Sequence, residues 1–288
     1  MIEGHIKCKK IAIITDSSCD LTIDEIKEYN LNILPLKIIY KDREYNDIFD
    51  IKPIDVYENL HNEVPTTSLC SPDYINSVLD KLEAEGYTHL IGIFISSSLS
   101  GTFNAARLVI EERSSFKSYL FDSKIIGYPL GSIVIKAAEF VKEGKSFEEI
   151  IEALPSIREA TTGFYTLNTL EYLRRGGRIG KVAGTVGDLL HLKPIISVDE
   201  HGAYTTIAKA RGRKQSLKKL ASIILEHLDE GKCNVAILNG MAEEEANQVL
   251  DSISSHPNLL KSQVRAIGAA MGVHAGPGMV GVSIQKEI

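Results

Sequence analysis

Between residues 11 and 153, short β-branched apolar runs alternate with segments of helical composition, and no other feature of the chain restricts its fold as much. Residues 11–15 read as a strand, followed by the loop Asp16-Ser17-Ser18-Cys19-Asp20 and a helical pattern over residues 22–29. Residues 31–40 read as one extended segment, 41–50 as an acidic, turn-rich loop, and 53–63 as a helix with proline in its first turn. The hydroxyl-rich loop 65–72 then opens a helix over 73–85. A strand at 90–95, the stretch Ser96-Ser97-Ser98-Leu99-Ser100-Gly101-Thr102 and a helix at 103–112 follow. A strand at 118–121, the loop Asp122-Ser123-Lys124 and helices at 130–142 and 146–153 complete the series. Such βα alternation favours a parallel sheet covered by helices, with ligands at the carboxyl ends of the strands. The hydroxyl-rich loops should therefore converge.

After Pro155 the pattern changes. A strand at 161–166 leads through 167–175 into the basic turn Arg174-Arg175-Gly176-Gly177-Arg178-Ile179-Gly180-Lys181, and residues 182–192 read as helix. Residues 194–198 and 204–208 pair as a hairpin across Asp199-Glu200-His201-Gly202. A helix at 215–228, a strand at 235–238, a helix at 242–254 and strands at 263–267 and 280–284 make an α+β half. At 288 residues the chain exceeds what one core usually serves, so the expected division is an α/β domain over 1–156 and an α+β domain over 157–288.

A hydrophobic content of 44% with 24% charged residues excludes disorder over any large part. The net charge of −6 removes any general attraction for nucleic acid or anionic lipid, so an anion site must be local. No apolar run approaches the roughly 20 residues of a membrane span. Residues 1–10 lack the apolar core of a signal peptide, and a cytoplasmic location is expected. Met1-Ile-Glu-Gly-His5 reads as an expression scar ahead of the first strand. The four cysteines, Cys8, Cys19, Cys70 and Cys233, show neither a CxxC pair nor metal-ligand spacing, which points to reduced thiols and no metal.

Several stretches carry chemistry. Serines ahead of a helix start can cap it, and backbone N–H groups, the helix dipole and hydroxyls together can cradle a carboxylate or phosphate. Taken alone, such a stretch is equally a turn and a cap. His274 lies in the glycine-rich turn His274-Ala275-Gly276-Pro277-Gly278 between two strand-like segments, where it could bond an acidic ligand, act as a base or simply face solvent. Two basic clusters stand out in an acidic chain: Arg174, Arg175, Arg178 and Lys181, and Lys209, Arg211, Arg213, Lys214, Lys218 and Lys219. They read as solvated faces or as phosphate or acidic-partner surfaces. Gly276-Pro277-Gly278-Met279-Val280-Gly281 matches GxGxxG in form, but too few residues follow it for a βαβ unit. The chain has no GxSxG elbow, Walker A loop or HExxH.

In order and spacing, these segments resemble the DegV family of fatty-acid-binding proteins, subunits that present acyl chains to a bacterial fatty acid kinase. The residues that carry the resemblance are Thr15-Asp16-Ser17, Thr67-Ser68, Ser96 to Thr102, Asp122-Ser123-Lys124, Gly176-Gly177-Arg178-Ile179, Lys193-Pro194 and His274 to Gly278. The family often has Thr-Ser-Gln-Pro where this chain reads Thr67-Ser68-Leu69-Cys70. The resemblance implies a two-domain α/β architecture with a buried long-chain fatty acid at the domain interface and no other cofactor. Its carboxylate would be bonded by Thr67, Ser100 and His274, while Arg178 and Arg211 would meet a phosphate or the docked kinase. The implied partners are the fatty acid, the kinase catalytic subunit and, transiently, a membrane surface, with no nucleic acid. The implied role is that of a carrier in phospholipid metabolism, not an enzyme. The competing readings are a serine-dependent hydrolase using Ser100 with His274 as base, which lacks an identifiable acid partner, and a DNA-binding regulator, which the net charge disfavours.

Overall fold

The computed structural model describes residues 10–185 and 192–288. The chain begins with β1 (Ile11–Asp16), α1 (Ile23–Glu28), β2 (Leu31–Leu34), β3 (Lys37–Ile39), β4 (Glu44–Asn46), α2 (Pro53–Asn59) and β5 (Thr66–Ser68). It continues through α3 (Pro72–Ala84), β6 (His89–Phe94), α4 (Thr102–Glu111), β7 (Lys117–Asp122), α5 (Tyr128–Lys142) and α6 (Phe147–Glu159). The second half comprises β8 (Thr161–Thr166), α7 (Glu171–Arg175), β9 (Leu192–Val198), β10 (Tyr204–Arg211), α8 (Arg213–Glu230), β11 (Cys233–Gly240), α9 (Glu243–Ile253), β12 (Leu259–Ala266), α10 (Ala269–Ala275) and β13 (Met279–Lys286).

The expected parallel sheet is present, with strands in the order β2-β1-β6-β7. Its central strands β1 and β6 are mainly apolar and buried along nearly their whole length because both faces are covered. Ala12, Ile14, Leu90 and Phe94 pack on α3 and α4, while Ile13, Ile91 and Ile93 pack on α5 and α6. A second, mixed sheet runs β10-β9-β8-β13-β11-β12. One of its faces, including Val235, Ile237 and Val282, packs on α8 and α9. Its other face, including Tyr165, Ala236 and Leu238, joins the α5 side of the first sheet. Helix α5 therefore sits between the two sheets, with Leu130, Ile133, Val134 and Ala137 fully buried, so the molecule is a mixed α/β fold of alternating sheets and helices. Gly131 belongs to this contact, because a Cβ there would collide with the Cys19 carbonyl oxygen.

The extended segment expected over 31–40 is broken into β2 and β3, and β3 leaves the parallel sheet to form a small antiparallel sheet ordered β4-β3-β5. The loops expected at 41–50 and 65–72 thus each contain a strand, β4 and β5. The helix expected over 182–192 is a 3-10 helix spanning Gly180–Thr185, and residues 186–191 lie outside the described residues. The division expected at 156/157 falls inside α6, which continues beyond Pro155 to Glu159. His274 was expected in a turn, but it lies in the last turn of α10. No helix among the described residues is long and apolar enough to cross a membrane.

Candidate functional site

The loop after β1, the β5 strand and the serine stretch after β6 do converge, on a cavity of about 200 Å3 that also receives α10 and residues of the second sheet. Its wall is mainly apolar, with Leu36, Ile95, Leu99, Ile126, Leu167, Leu173, Ile196, Met271 and Met279 supplying aliphatic or thioether surface and Tyr165 and Tyr204 supplying rings. Its polar lining consists of Ser18, Thr67, Ser68, Ser100, Arg178 and His274. The apolar members come from the loops after β2, β6, β7 and β8, from α7 and α10, and from the second sheet, so no single stretch of sequence marks them.

Thr67 is placed by the pairing of β5 with β3, in which it lies opposite Ile38. Its Oγ1 is 2.7 Å from His274 Nε2. The imidazole is held closely. Gly176 lies against His274 Nδ1 and has no room for a Cβ, while Gly276 lies against the Tyr172 ring in the same way. Gly272, inside α10, lets the Tyr57 ring approach to where a Cβ would be 2.9 Å away. His274 Nδ1 is buried without a protein partner. Burial, followed by the positive charge of Arg178, lowers the His274 pKa from 6.5 to about 4, so the ring is neutral at pH 7 and offers one N–H donor.

The serine stretch divides its hydroxyls among different tasks and caps α4 less than expected. Gly101 occupies the N-cap position without a side-chain bond. Ser100 Oγ faces the cavity, accepts the Thr102 N–H at 3.2 Å and lies 2.8 Å from Thr102 Oγ1. The Ser96 and Ser98 hydroxyls instead donate to the carbonyls of Gly202 (2.8 Å) and His201 (2.6 Å), in the turn between β9 and β10. Ser97 bonds Asp122. Asp16, fully buried at the end of β1, accepts from Ile95 N at 2.8 Å and from Ser18 N at 3.0 Å, which ties the serine stretch to the first loop.

The two arginines implied to meet a phosphate or the kinase stand differently toward the cavity. Arg178 lines the cavity, and its Nη1 donates to the Gly176 carbonyl at 2.6 Å. Arg211 is exposed at the end of β10 opposite Leu192 and does not line the cavity. Of the other expected basic residues, Arg175 pairs with Glu171, Lys181 with Asp199 and Arg213 with Glu245. Cys19, Cys70 and Cys233 are buried free thiols. The described residues contain no cluster of His, Cys, Asp or Glu able to hold a metal.

A family model described as "Uncharacterised protein, DegV family" matches residues 10–287. The chain belongs to the DegV family. A DegV domain-containing protein of Clostridium perfringens is 98% identical over 97% of this chain and all of its own length. Among solved structures, a DegV family protein from Thermus thermophilus described for its fatty acid binding superposes with a TM-score of 0.90 at 26% identity, covering 96% of this chain and 100% of its own. DegV of Bacillus subtilis, described as a fatty acid binding protein, gives 0.89 at 27% identity, covering 97% and 100%. The DegV fold thus accounts for the parallel first sheet and the mixed second sheet.

Proposed function

We propose that this protein is a carrier that buries a long-chain fatty acid in the cavity, with the carboxylate at Thr67, Ser100 and His274, and presents it to a partner kinase for acyl-phosphate formation. The observation that carries this reading is an apolar cavity whose polar groups include two hydroxyls and a neutral imidazole from three distant segments of the chain. Apolar burial stabilises an acyl chain by about 0.8 kcal/mol per CH₂, so the tail supplies most of the affinity. The carboxylate needs donors because an unpaired ion beside an apolar wall is strongly disfavoured. The DegV structures described as binding fatty acids support the same ligand.

The cavity of about 200 Å3 is smaller than the roughly 300–1,000 Å3 of most ligand pockets. Filling it with a long tail therefore requires the wall to move, and Met271 and Met279 are the flexible side chains suited to that. Arg178 at the cavity is suited to a phosphate on the bound ligand, and exposed Arg211 to a docked partner. The hydrolase reading through Ser100 is disfavoured by the hydrogen bonds, since Ser100 Oγ lies against Thr102 and His274 Nε2 is engaged by Thr67, so His274 is not paired with Ser100 as its base.

The test is mass spectrometry of the denatured protein after purification from bacteria, followed by calorimetric titration of the delipidated protein. About one equivalent of fatty acid is expected, with tighter binding of the acid than of an alcohol of equal length. Lipid-free protein that ignores added fatty acid would refute the proposal.

A further inference from the structure

Helix α10 carries His274 but cannot cap its own start. Its N-cap is Gly268, and no side chain of its own accepts from its first N–H groups. Two carboxyl groups from distant parts of the chain do so instead. Asp20 Oδ1 accepts from Gly268 N at 2.8 Å, and Asp47 Oδ1 accepts from Ala270 N at 3.1 Å. Both side chains are buried, Asp20 at the turn after β1 and Asp47 just after β4. The glycine is part of the contact, because a Cβ on residue 268 would lie 2.8 Å from Asp20 Oδ1. The backbone is unusual at Asp20 (φ 53°) and beside Asp47, where the β-branched Ile48 has φ 73°. Such strained positions persist only where the surrounding structure fixes them.

We propose that Asp20 and Asp47 are positioning residues that fix α10, and with it His274, where it meets the carboxylate of a bound fatty acid. The proposal rests on the carrier reading above and adds to it the means by which the head-group site is held. Asp16 plays the matching part on the other side, because it ties down the loop that leads to Ser100. The segments bearing Ser100 and His274 are thus both fastened to the short stretch Asp16-Ser17-Ser18-Cys19-Asp20.

The charges around the pair are few. Asp16 and Cys19 face it from β1 and its turn, and Tyr57, Tyr165 and Tyr204 face Asp20 from α2, β8 and β10. The cation facing Asp20 is Arg265 on β12, which also pairs with Glu25 and donates to the Asp20 carbonyl at 3.3 Å. Burial, with repulsion from neighbouring carboxylates, raises Asp20 to about 8 and Asp47 to about 6. The second oxygen of each carboxyl group is buried and has no partner. Near neutral pH Asp20 is therefore largely protonated, and it ionises beside Asp47 as the pH rises past about 8.

The test compares binding of palmitic acid and of the alcohol of equal length to the delipidated full chain, for wild type, His274→Ala, Asp20→Ala, Asp47→Ala, Asp20→Asn and Asp47→Asn. An asparagine oxygen still accepts the helix N–H, whereas alanine leaves it unbonded. Expected is a loss of about tenfold or more in acid affinity in both alanine variants, with alcohol affinity held and the asparagine variants close to wild type. Adding Asp47→Ala to His274→Ala should change nothing further. Wild-type preference for the acid in both alanine variants would overturn the proposal. If His274→Ala itself left acid binding unchanged, the head-group reading would fall alone. The positioning role would then be judged from the 15N resonances of the His274 ring, assigned by their loss in His274→Gln. Asp47→Ala must shift those resonances and Asp47→Asn must restore them, and resonances unmoved by Asp47→Ala would overturn the proposal.

Discussion

Replacing His274 with glutamine should change how the ligand-free protein responds to acid. Burial and the Arg178 charge hold the imidazole pKa at about 4, against 6.5 when unperturbed. Between those two values the unfolded chain takes up a proton that the folded protein refuses, so folding stability rises with pH across this window and is lost as the pH falls through it. At about 1.4 kcal/mol per pH unit, His274 alone accounts for about 3 kcal/mol of destabilisation between pH 6.5 and pH 4. Asp20 and Asp47 act in the opposite direction, since their raised pKa values make the folded state the better proton binder at low pH. The informative quantity is therefore the difference between wild type and His274→Gln, in which the carboxyl contributions cancel. Urea unfolding at pH 7.0, 5.5 and 4.0 measures it. The variant is expected to be the less stable protein at pH 7, because Thr67 loses its partner, and to gain on wild type by about 3 kcal/mol as the pH falls to 4. A difference that stays constant with pH would show that the ring is not buried as a neutral group, and the account of the head-group site would fail with it.

Gly176→Ala should push the imidazole away from Thr67, because a Cβ there meets His274 Nδ1, and acid affinity measured by titration should fall about tenfold while alcohol affinity holds. Arg211→Ala should leave fatty-acid binding largely intact but impair acyl-phosphate formation when a partner kinase and ATP are supplied, whereas Arg178→Ala, which removes a cation from the cavity wall, should weaken both. Equal losses in both assays for Arg211→Ala would assign that arginine to the ligand or the fold. Ser96→Ala and Ser98→Ala should each cost about 1 kcal/mol of stability in urea unfolding, because each removes a hydroxyl donor to the β9–β10 turn. No loss in either variant would show that the turn is held by other contacts.

The first sheet was legible in the sequence because its central strands are buried on both faces and its outer helices are amphipathic, so hydrophobic pattern and burial agree. Helix α10 was not. Its seven residues, AAMGVHA, are enclosed almost entirely, so it has no polar stripe to mark a helical period, and the glycines around it read as a turn. The small sheet was equally hidden, because three-residue strands such as Thr66–Ser68 exist only through long-range pairing with β3. Thr67, Ser100 and His274 were implied together by the resemblance to the DegV family, and the structure has all three lining one cavity. Asp20 and Asp47 carried no comparable signal. A carboxylate in a polar loop reads as a surface group, and only the tertiary contact with Gly268 and Ala270 reverses that. Arg211 looked like Arg178 in sequence, but β10 carries it away from the cavity.

The position of β13 bears on how the molecule comes together. This strand is the latest in the chain, yet it lies in the interior of the second sheet, between β8 and β11. Its neighbours are synthesised first and must wait for it, so the nascent chain has no continuous second sheet to close against α5 until β13 arrives. Helix α10 immediately precedes β13, so His274 is made after β8, β9, β10, β11 and β12 and just before the strand that joins them. Closing the cavity and completing the sheet are then a single late event, and a chain halted before β13 would have a folded first sheet but no finished pocket.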